Sequence, residues 1–556
     1  MIEEIISALK FTGLTAEQIK KFIEIPKDPT HGDYAFPCFV LSKSMKKSPN
    51  EIAKDIVKKI KNKNFERVDA VGAYVNFFVN SKKNALEVLT RIESEGKKYG
   101  SNKTGSGKKF MIEFSQPNTH KAFHVGHIRG TTLGESIARL KEFCNYKVLR
   151  INYSGDTGMH IAKWLWAYSK FHKKEEIQTN ESWFAKIYVE AVQKLQDNER
   201  GEMEVLEINK KLDSRKDAKL IKLWKDSRLK SIAAWKPIYK DLGVEFDKQF
   251  FESQMEEAGK KIAINLVENG IAEISDGATI MNLNDKNLGV WVLLRKDGTV
   301  LYSAKDLALA KEKFSKYDFD ESLVITSVEQ NLHFQQLKKT LELMKFNNWE
   351  KYKHMGYESV RLPEGKMSSR TGNNILYADF RNEIVNSAKE EISKRDSIDE
   401  KEINERAFSI GISAIKYSML KQDTNKVIIF DKKESIKFEG DTGPYLLYSL
   451  ARANSILKKV KVSEDIKINN VEISERVLIN ELEKFPNIVM EASKTLSPSI
   501  IAHYAYNLAQ KFNEFYHSCN VIGSKEESFR ISLVKSFMQV MENSLSLLGI
   551  PLIKKM

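Results

Sequence analysis

Residues 109–156, "KFMIEFSQPNTHKAFHVGHIRGTTLGESIARLKEFCNYKVLRINYSGD", decide the fold of this chain. Apolar residues alternate through Phe110, Ile112 and Phe114, which is the period of a strand. From Ile128 onward the apolar spacing becomes that of a helix, and "KVLRINYSGD" is again rich in strand-forming residues. Strand, loop, helix and strand form the unit of a parallel sheet, whose ligands bind at the carboxyl ends of the strands. We therefore predict an α/β core with a ligand site in the first strand-to-helix turn.

The remaining segments are predicted to surround this core. Before it, helical runs and the strand-like "GAYVNFFVN" end in a Gly/Ser/Lys linker, which indicates a small α+β domain. A polar, helical stretch that lacks the next strand indicates an insertion, after which "GVWVLLRKDGTVLYSAKDLALA" and "ESLVITSVEQ" resume the sheet pattern. Beyond about residue 400 the pattern is helical. The predicted boundaries are 1–108, 109–380 with an insertion at about 165–275, a helical connector at 381–425, and 426–556.

Composition excludes several classes of protein. With 42% hydrophobic and 29% charged residues, the 556-residue chain is typical of globular proteins. No apolar stretch approaches the roughly eighteen residues of a membrane span, and the acidic N-terminus does not resemble a secretory signal. Cys38, Cys144 and Cys519 lie far apart without C-x-x-C spacing, so we expect buried thiols in a reducing, cytoplasmic compartment.

The net charge of +14 indicates an anionic partner. The phosphate backbone of a nucleic acid is the commonest partner that binds lysines dispersed over a surface. A lysine-rich surface without such a partner would give the same charge, so this observation favours RNA without deciding for it.

A first cluster of basic residues occupies the predicted strand-to-helix turn. His124 and His127 flank Gly126, and Lys121 lies one turn earlier. A helix N-terminus presents free N–H groups, a glycine permits close approach of a ligand, and the imidazoles and lysine add donors for phosphate oxygens. Such fixed donors suit a triphosphate whose α-phosphorus gains negative charge during displacement. Metal ligation by the histidines and simple helix capping remain alternatives.

A second cluster, "EGKMSSRTGNN" at residues 364–374, combines two cations with two hydroxyl groups, Lys366, Ser368, Ser369 and Arg370. These groups suit the grip of a leaving pyrophosphate, although similar runs are common on solvated surfaces. On a parallel α/β unit, the first cluster resembles the HIGH signature of class I aminoacyl-tRNA synthetases. The second cluster resembles their KMSKS signature.

Further stretches narrow the resemblance to the arginyl-tRNA synthetase family. They include "RINYSGDTGMHIA", "LYSAKDLALA", "VEQNLHFQQL", "EGDTGPYLLYSLARA" and the N-terminal "HGDYAFPCFVLSK", in the order of that family. The resemblance implies a Rossmann catalytic core with an inserted domain, an additional N-terminal α+β domain and an all-α helical-bundle anticodon-binding domain. It also implies an arginine-tRNA ligase, in which ATP and L-arginine form arginyl-adenylate and pyrophosphate before arginine passes to the 3′ end of tRNA(Arg). We expect ATP with Mg²⁺ as the substrate complex, no protein-bound metal, and a monomer.

The same resemblance assigns residues to the arginine pocket. These are Glu113, Asn118, Tyr302, Asp306 and Gln330. A guanidinium offers planar donors that carboxylates and a phenol recognise well. We expect Asp306 to be the principal acceptor with Tyr302 and Glu113 beside it, although Asp306 could instead cap a helix. Asn118 and Gln330 would hold the amine and carboxylate of the substrate.

Catalytic, ATP-binding and tRNA-binding residues are assigned in the same way. The catalytic residues are His124, His127, Lys121, Lys366, Ser368 and Arg370. ATP would be bound by His124, Gly126, His127, His333, Lys366, Met367 and Ser368. His333 would approach the adenosine, although it could equally be a polar residue satisfied within the structure. The tRNA contacts would be Tyr445, Tyr448, Arg452, Tyr506 and Met556, although the aromatic residues could equally pack in a helical core.

One departure from the second signature shifts attention to Lys121. The last lysine of KMSKS is replaced here by Ser369, and "RTG" follows where relatives often have "RKG". Many arginyl enzymes lacking that lysine carry one just before the first signature, and Lys121 has that place. A small-molecule nucleotidyltransferase and a catalytically dead RNA-binding relative remain as alternative functions. The first would turn over ATP without RNA, and the second would have lost His124, His127 or Asp306.

Overall fold

The computed structural model describes residues 2–26, 28–61, 65–363, 375–393, 399–460 and 466–553. These residues form two units, each assembled from separate stretches of chain. The first comprises Met1–Tyr99, Ala453–Lys484 and Leu508–Val540. The second comprises Gly100–Arg452, Phe485–Asn507 and Met541–Met556.

The N-terminal part of the first unit is an α+β structure. Its strands β1 (Tyr34–Pro37), β2 (Phe65–Val71) and β3 (Tyr74–Val79) form an antiparallel sheet in the order β1-β3-β2. Its helices are α1 (Ile2–Leu9), α2 (Ala16–Phe22), α3 (Ser42–Met45), α4 (Pro49–Lys59) and α5 (Ser81–Glu95). Local sequence explains where α4 begins, because Ser48 accepts a hydrogen bond from Glu51 N–H and Glu51 in turn accepts one from Ser48 N–H.

The second unit carries the parallel sheet. Its elements up to residue 435 are, in chain order, β4 (Lys109–Glu113), α6 (Val125–Phe143), β5 (Lys147–Ser154), α7 (Met159–Ala167), α8 (Glu181–Leu195), α9 (Glu199–Ser214), α10 (Ala218–Ala234), α11 (Lys236–Asp241), β6 (Lys248–Phe251), α12 (Glu252–Glu268), β7 (Glu273–Ser275), β8 (Ala278–Asn282), β9 (Val290–Leu294), α13 (Tyr302–Lys316), β10 (Glu321–Ser327), α14 (Asn331–Leu343), β11 (Tyr352–Tyr357), β12 (Val360–Arg361), α15 (Tyr377–Ser393), α16 (Glu400–Leu420), β13 (Ile428–Ile429) and α17 (Lys432–Ser435).

The parallel sheet has the order β11-β10-β4-β5-β6, and every neighbouring pair is parallel. Met111 and Ile151, from the two strands predicted first, are fully buried between the sheet and its helices. The predicted strand–loop–helix–strand unit is therefore confirmed. Because the chain proceeds from β4 toward β6 on one side and returns to β10 on the other, strand order reverses between β4 and β10.

Two expectations about the strands were wrong. The stretch at about 165–275 was expected to lack a strand of the sheet, yet β6 lies within it and pairs with β5. Only four residues long and followed directly by α12, β6 is too short to show a period. The apolar run "VWVLL" was expected to resume the parallel sheet, whereas β9 pairs antiparallel with β8 in a separate three-stranded sheet with β7.

The C-terminal part is helical, as predicted, with β13 as a short exception that pairs with β12. Its helices are α18 (Gly443–Leu457), α19 (Ile473–Thr495), α20 (Pro498–Ser518) and α21 (Glu527–Leu547). The predicted apolar face of α20 is buried at Ile501, Ala505, Leu508, Phe512, Phe515 and Cys519. All three cysteines are buried and free. Within the described ranges, no helix has the length and apolarity needed to cross a membrane.

Candidate active site

The point where strand order reverses opens into a large cavity. Its volume is about 1350 Å³, larger than the roughly 300–1,000 Å³ of ordinary small-molecule pockets. Residues that follow β4 line one side, and Thr326 and Ser327 at the end of β10 line the other. Open α/β sheets bind their ligands at this topological position, and the volume leaves room for more than one substrate.

The first cluster forms the N-terminal turn of α6, as predicted. His124 precedes the helix, and its N–H donates to Nδ1 of His127 over 3.2 Å, while the two imidazole centroids lie 4.0 Å apart. Because Nδ1 of His127 accepts, the neutral ring carries its proton on Nε2, which has no partner among the described residues. His124, Gly126 and His127 all line the cavity. The turn therefore offers free donors at a helix N-terminus.

Both imidazoles of this turn are uncharged near neutral pH. Burial, with the charge of Lys121 as a smaller contribution, lowers the pKa of His124 to about 4. Burial also lowers the pKa of His127 well below its usual range. The histidines therefore meet a ligand as neutral hydrogen-bond donors, and a full positive charge must come from elsewhere. The helix-capping alternative also holds in part, since His127 caps its own helix through Nδ1.

His120, to which the sequence assigned no role, is a buried anchor of the turn. Its N–H donates to Ser231 Oγ, its Nε2 hydrogen-bonds Ser227 Oγ at 2.8 Å, and its ring packs against Trp164. The backbone of His120 has a φ of 63°, a left-handed conformation that histidine tolerates better than most residues. The inserted helix α10 thus fixes the loop that leads to His124.

Burial lowers the pKa of His120 to about 3, so its protonation should destabilise the fold in acid. The unfolded chain binds this proton below about pH 6.5 while the folded chain does not, which costs about 1.4 kcal/mol of unfolding free energy per pH unit. Stability is therefore lost as pH falls from about 6.5 toward the folded value. Between pH 6.5 and 4.5, we expect the melting temperature of His120→Gln to fall by less than that of the unsubstituted chain. His503→Gln is the control, because His503 is exposed. If melting temperature depends on pH equally steeply in His120→Gln and His503→Gln, the prediction is contradicted.

Lys121 lies beside this turn without lining the cavity in the described part of the chain. Its ammonium stands 5.3 Å from the ring centroid of Tyr188 in α8, and burial lowers its pKa. Its charge contributes to the lowered pKa of His124, His127 and His160, which places it within electrostatic reach of all three histidines.

The second cluster, with Lys366, Met367, Ser368, Ser369 and Arg370, lies outside the described residues. The residues that resume after it contact the first turn directly. Leu376 forms an antiparallel bridge with His124, and Tyr377 N–H donates to Phe123 C=O over 2.9 Å. On the preceding side, Ser359 and Val360 line the cavity. The described residues before and after the second cluster therefore both contact the site.

The five residues predicted for the arginine pocket all line this cavity. They are Glu113, Asn118, Tyr302, Asp306 and Gln330. Tyr302 and Asp306 lie in the first two turns of α13, where Tyr302 is 54% exposed toward the ligand space. The structure thus brings together side chains from the ends of β4 and β10 and from the start of α13.

Asp306 is held by a chain of two hydrogen bonds. Its Oδ2 lies 2.7 Å from Nε2 of His333, and Nδ1 of His333 lies 3.2 Å from the indole Nε1 of Trp291. Because indole N–H can only donate, Nδ1 of His333 accepts and Nε2 carries the proton. His333 therefore serves as a neutral donor to Asp306, with both ring nitrogens engaged. It is absent from the described cavity lining, which favours the structural alternative weighed against an adenosine contact.

Glu113 has a partner that the sequence did not reveal. Its Oε2 forms an ion pair of 2.6 Å with Lys313, whose side chain is fully buried, and its Oε1 accepts from Gln116 at 3.3 Å. Part of the charge of Glu113 is therefore already compensated, which leaves Asp306 as the stronger acceptor for a guanidinium. The only sequence signal was Lys313 itself, which interrupts the apolar face of α13 two turns beyond Asp306.

A second group that the sequence did not reveal also lines the cavity. The buried ammonium of Lys305 donates to Thr157 Oγ1 at 3.0 Å and pairs with Glu252 at 3.2 Å and Glu256 at 3.3 Å. All four residues line the cavity. Two carboxylates one turn apart at the start of α12, together with the lysine of "YSAKD", were the available signal, but nothing in the sequence joined these distant segments.

The residues predicted for tRNA binding lie on two helices. Tyr445, Tyr448 and Arg452 belong to α18 and Tyr506 to α20, and all four are partly buried. The Arg452 guanidinium lies 4.8 Å from the Tyr448 ring, and the Tyr445 and Tyr506 centroids are 5.7 Å apart. Met556 lies outside the described residues. A role in tRNA binding stays a prediction for all five.

Comparison with known proteins places the whole chain in one family. The model of the tRNA synthetase class I (R) catalytic domain matches residues 88–432. The model of the arginyl tRNA synthetase N-terminal domain matches residues 1–79, and that of the DALR anticodon-binding domain matches residues 446–556. Together these matches cover the N-terminal, parallel-sheet and C-terminal helical parts described above.

Individual proteins give the same result. Arginine–tRNA ligases of Clostridium perfringens and Clostridium acetobutylicum are each 36% identical over 555 residues, covering 98% of this chain and 97% and 98% of the relatives. The solved arginyl-tRNA synthetase of Thermus thermophilus matches with a TM-score of 0.80 and 25% identity, covering 100% of this chain and 99% of that one. The Plasmodium falciparum arginyl-tRNA synthetase, 21% identical with a TM-score of 0.75, shares the fold over 100% of this chain and 99% of its own.

A parallel sheet with a histidine-flanked glycine turn at its switch point, joined to a helical anticodon-binding region, defines a class I tRNA synthetase. The predicted fold class and the resemblance found in the sequence are both confirmed. Within that class, the catalytic-domain match and the relatives above decide the branch. The chain belongs to the arginine (R) family of class I tRNA synthetases.

Proposed function

We propose that this chain is an arginine-tRNA ligase whose chemistry takes place in the cavity between β4 and β10. ATP and L-arginine react there to arginyl-adenylate and pyrophosphate, and the arginyl group then passes to the 3′ end of tRNA(Arg). The observation that carries the proposal is that a helix N-terminus with free donors and the Asp306 carboxylate open on one cavity. Matching of the family over nearly the whole chain supports the same activity.

Asp306 and Tyr302 recognise the guanidinium of the substrate. A guanidinium presents planar donors, which a fixed carboxylate and a phenol accept with good geometry. Hydrogen bonding from His333 orients Asp306, and Glu113 has a smaller share because Lys313 occupies one of its oxygens. Asn118 and Gln330, which also line the cavity, bind the amine and carboxylate of arginine.

His124, Gly126 and His127 bind the phosphates of ATP at the N-terminus of α6. The arginine carboxylate is already a nucleophile, so the reaction depends on positioning and on stabilising charge at the α-phosphorus. Lys366 and Arg370 contribute cations and Ser368 a hydroxyl group for pyrophosphate, and Met367 is assigned to nucleotide binding. Mg²⁺ arrives bound to ATP as part of the substrate, and no protein-bound metal takes part in the proposal.

The remaining parts of the chain serve tRNA. Residues 1–108 and 426–556 contact tRNA, the second through Tyr445, Tyr448, Arg452, Tyr506 and Met556, and residues 381–425 connect them to the catalytic region at 109–380. The net charge of +14 supports a polyanionic partner. The proposed form is a cytoplasmic monomer.

Charging of RNA tests this function. Purified protein, ATP, Mg²⁺ and the tRNA pool of the source cell are combined with each amino acid in turn, and acid-precipitable aminoacyl-tRNA is measured. Arginine alone should be attached. Attachment of another amino acid, or ATP turnover that does not depend on RNA at any step, contradicts the proposal and favours a nucleotidyltransferase.

Lys121 replaces the missing lysine of the second signature, so Lys121→Ala should lower the rate of ATP–pyrophosphate exchange about tenfold or more. The proposal requires the Lys121 ammonium to turn toward the phosphates when ATP binds, where a charge-assisted hydrogen bond is worth roughly 1.5–3 kcal/mol. Lys121→Arg should retain most activity, because it keeps the charge over the Tyr188 ring.

Lys194→Ala is the matched control for Lys121. Lys194 also lies over an aromatic ring, 4.5 Å from the centroid of Phe171, and it belongs to the same helix as Tyr188. Its substitution should leave exchange unchanged. If Lys121→Ala is as harmless as Lys194→Ala, Lys121 does not compensate for the absent lysine.

A further inference from the structure

The backbone of Phe123, immediately before His124, is held from two sides. Its C=O accepts from Tyr377 N–H at 2.9 Å, and its N–H donates to Oε1 of Glu181 at 2.7 Å. Phe123 is completely buried, so no solvent can replace either bond. The orientation of His124 and Gly126 toward the cavity therefore depends on the hydrogen bonds that Tyr377 and Glu181 make with the Phe123 backbone.

Glu181 belongs to the insertion and not to the parallel sheet. It is the first residue of α8, where a glutamate ordinarily faces solvent and complements the helix dipole. Here only 7% of the residue is exposed, and its Oε2 has no hydrogen-bond partner among the described residues. Burial, and secondarily the charge of Asp379, raises the pKa of Glu181 to about 7. A buried carboxyl group with one hydrogen bond stabilises a fold poorly, which indicates another reason for its placement.

The same helix also reaches the other end of the turn. Tyr188 lies two turns further along α8, on the same face as Glu181, and its ring stands 5.3 Å from the Lys121 ammonium. One face of α8 thus contacts both Lys121 and Phe123, two of the three residues directly before His124. This second contact is independent of the hydrogen bond to Phe123.

We propose that Glu181 is a positioning residue that fixes the Phe123–His124 turn for nucleotide binding. By accepting Phe123 N–H, it sets the orientation of the helix N-terminus and of the imidazoles that meet the phosphates. The inserted helices therefore belong to the nucleotide site, although none of their side chains needs to touch ATP. This inference rests on the proposed function for the identity of the nucleotide.

The test compares variants that keep or remove the acceptor. Glu181→Gln retains an oxygen for Phe123 N–H, whereas Glu181→Ala and Glu181→Met do not. Asn180→Ala is the control, since Asn180 caps the same helix through Trp183 N–H without touching the turn. Calorimetry measures the dissociation constant of a non-hydrolysable ATP analogue, pyrophosphate exchange gives kcat and the KM for arginine, and thermal melting reports stability.

We expect Glu181→Ala to weaken binding of the ATP analogue about tenfold, because Phe123 N–H is left buried without an acceptor. The KM for arginine should change by less than about twofold, since Asp306 does not contact this turn. Glu181→Gln should bind the analogue like the unsubstituted chain, and Asn180→Ala should lose stability without losing affinity. If the alanine variant does not fold, the methionine variant gives the same comparison.

Equal analogue affinity in the glutamine and methionine variants overturns the inference, as does an affinity loss in Asn180→Ala matching that of the variants without the acceptor. If Glu181→Gln and Glu181→Met weaken binding equally, the charge of Glu181 matters and not its role as an acceptor, which also overturns the inference. Failure of the unsubstituted chain to charge arginine refutes the proposed function and leaves this comparison of ATP affinities intact.

Discussion

His127→Ala should lower the rate of arginyl-adenylate formation by about two orders of magnitude, in line with the loss of one preorganised donor at a developing charge. The hydrogen bond from His124 N–H fixes the tautomer of His127, so its Nε2–H is available to a phosphate oxygen without reorganisation. ATP–pyrophosphate exchange with arginine and tRNA measures the loss. The lost hydrogen bond is strongest in the transition state, where negative charge develops on the α-phosphate. We therefore expect kcat to fall by a larger factor than the KM for ATP rises.

Two further variants separate the roles of the two ring nitrogens. His127→Asn keeps an acceptor near Nδ1 for His124 N–H but has no group at Nε2, whereas His127→Gln brings an amide N–H near the position of Nε2. If the donor matters, the glutamine variant should be the more active. If asparagine restores activity and glutamine does not, His127 acts by capping the helix, and its assignment to the phosphates is wrong.

Asp306→Asn should raise the KM for arginine about a hundredfold, because removal of one partner from a desolvated charge pair typically costs 2–5 kcal/mol. The amide retains the shape of the side chain and an oxygen that can accept from His333 Nε2. Packing should therefore survive while the charge is lost. Pyrophosphate exchange at varied arginine measures the KM, and a dissociation constant for the ATP analogue should stay within about twofold.

Glu329→Gln is the matched control for Asp306→Asn. Glu329 also carries a carboxylate on the cavity wall, but it is exposed and its backbone N–H is bonded to Ser327 Oγ. Loss of a solvated charge should change the KM by less than about threefold. If both substitutions have equal effects, or if the KM of Asp306→Asn is unchanged, Asp306 does not bind the guanidinium.

The parts of the fold that sequence revealed are those with a local signal. β4 and α6 carry apolar residues at strand and helix spacing, and the glycine and histidines between them stand where a parallel sheet binds its ligands. β6 was missed because four residues carry no period, and β9 was assigned to the wrong sheet because an apolar run does not specify its neighbour. Partner choice in a sheet depends on tertiary contacts that lie far apart in sequence.

The residues of the site also separate into those that sequence identified and those that only the structure revealed. Asp306 and Tyr302 were identified by resemblance and share the cavity with the first turn. The ion pair of Lys313 with Glu113 joins residues two hundred positions apart, and although Lys313 interrupts the apolar face of α13, nothing in that helix indicates its partner. Glu181 is the extreme case, because a glutamate in the first turn of an amphipathic helix resembles a solvated residue in sequence, and only the structure shows that it accepts a hydrogen bond from Phe123 N–H.

The hydrogen bond from Trp291 to His333 has a consequence for the choice of amino acid. It keeps a proton off Nδ1, so the ring that supports Asp306 brings no second positive charge to the carboxylate. A cationic amino acid therefore meets an anion, whereas citrulline, which has nearly the shape of arginine but a neutral urea group, would leave that anion buried and uncompensated. Rejection of citrulline would thus arise from an indole two steps away from the substrate, without any steric barrier in the pocket.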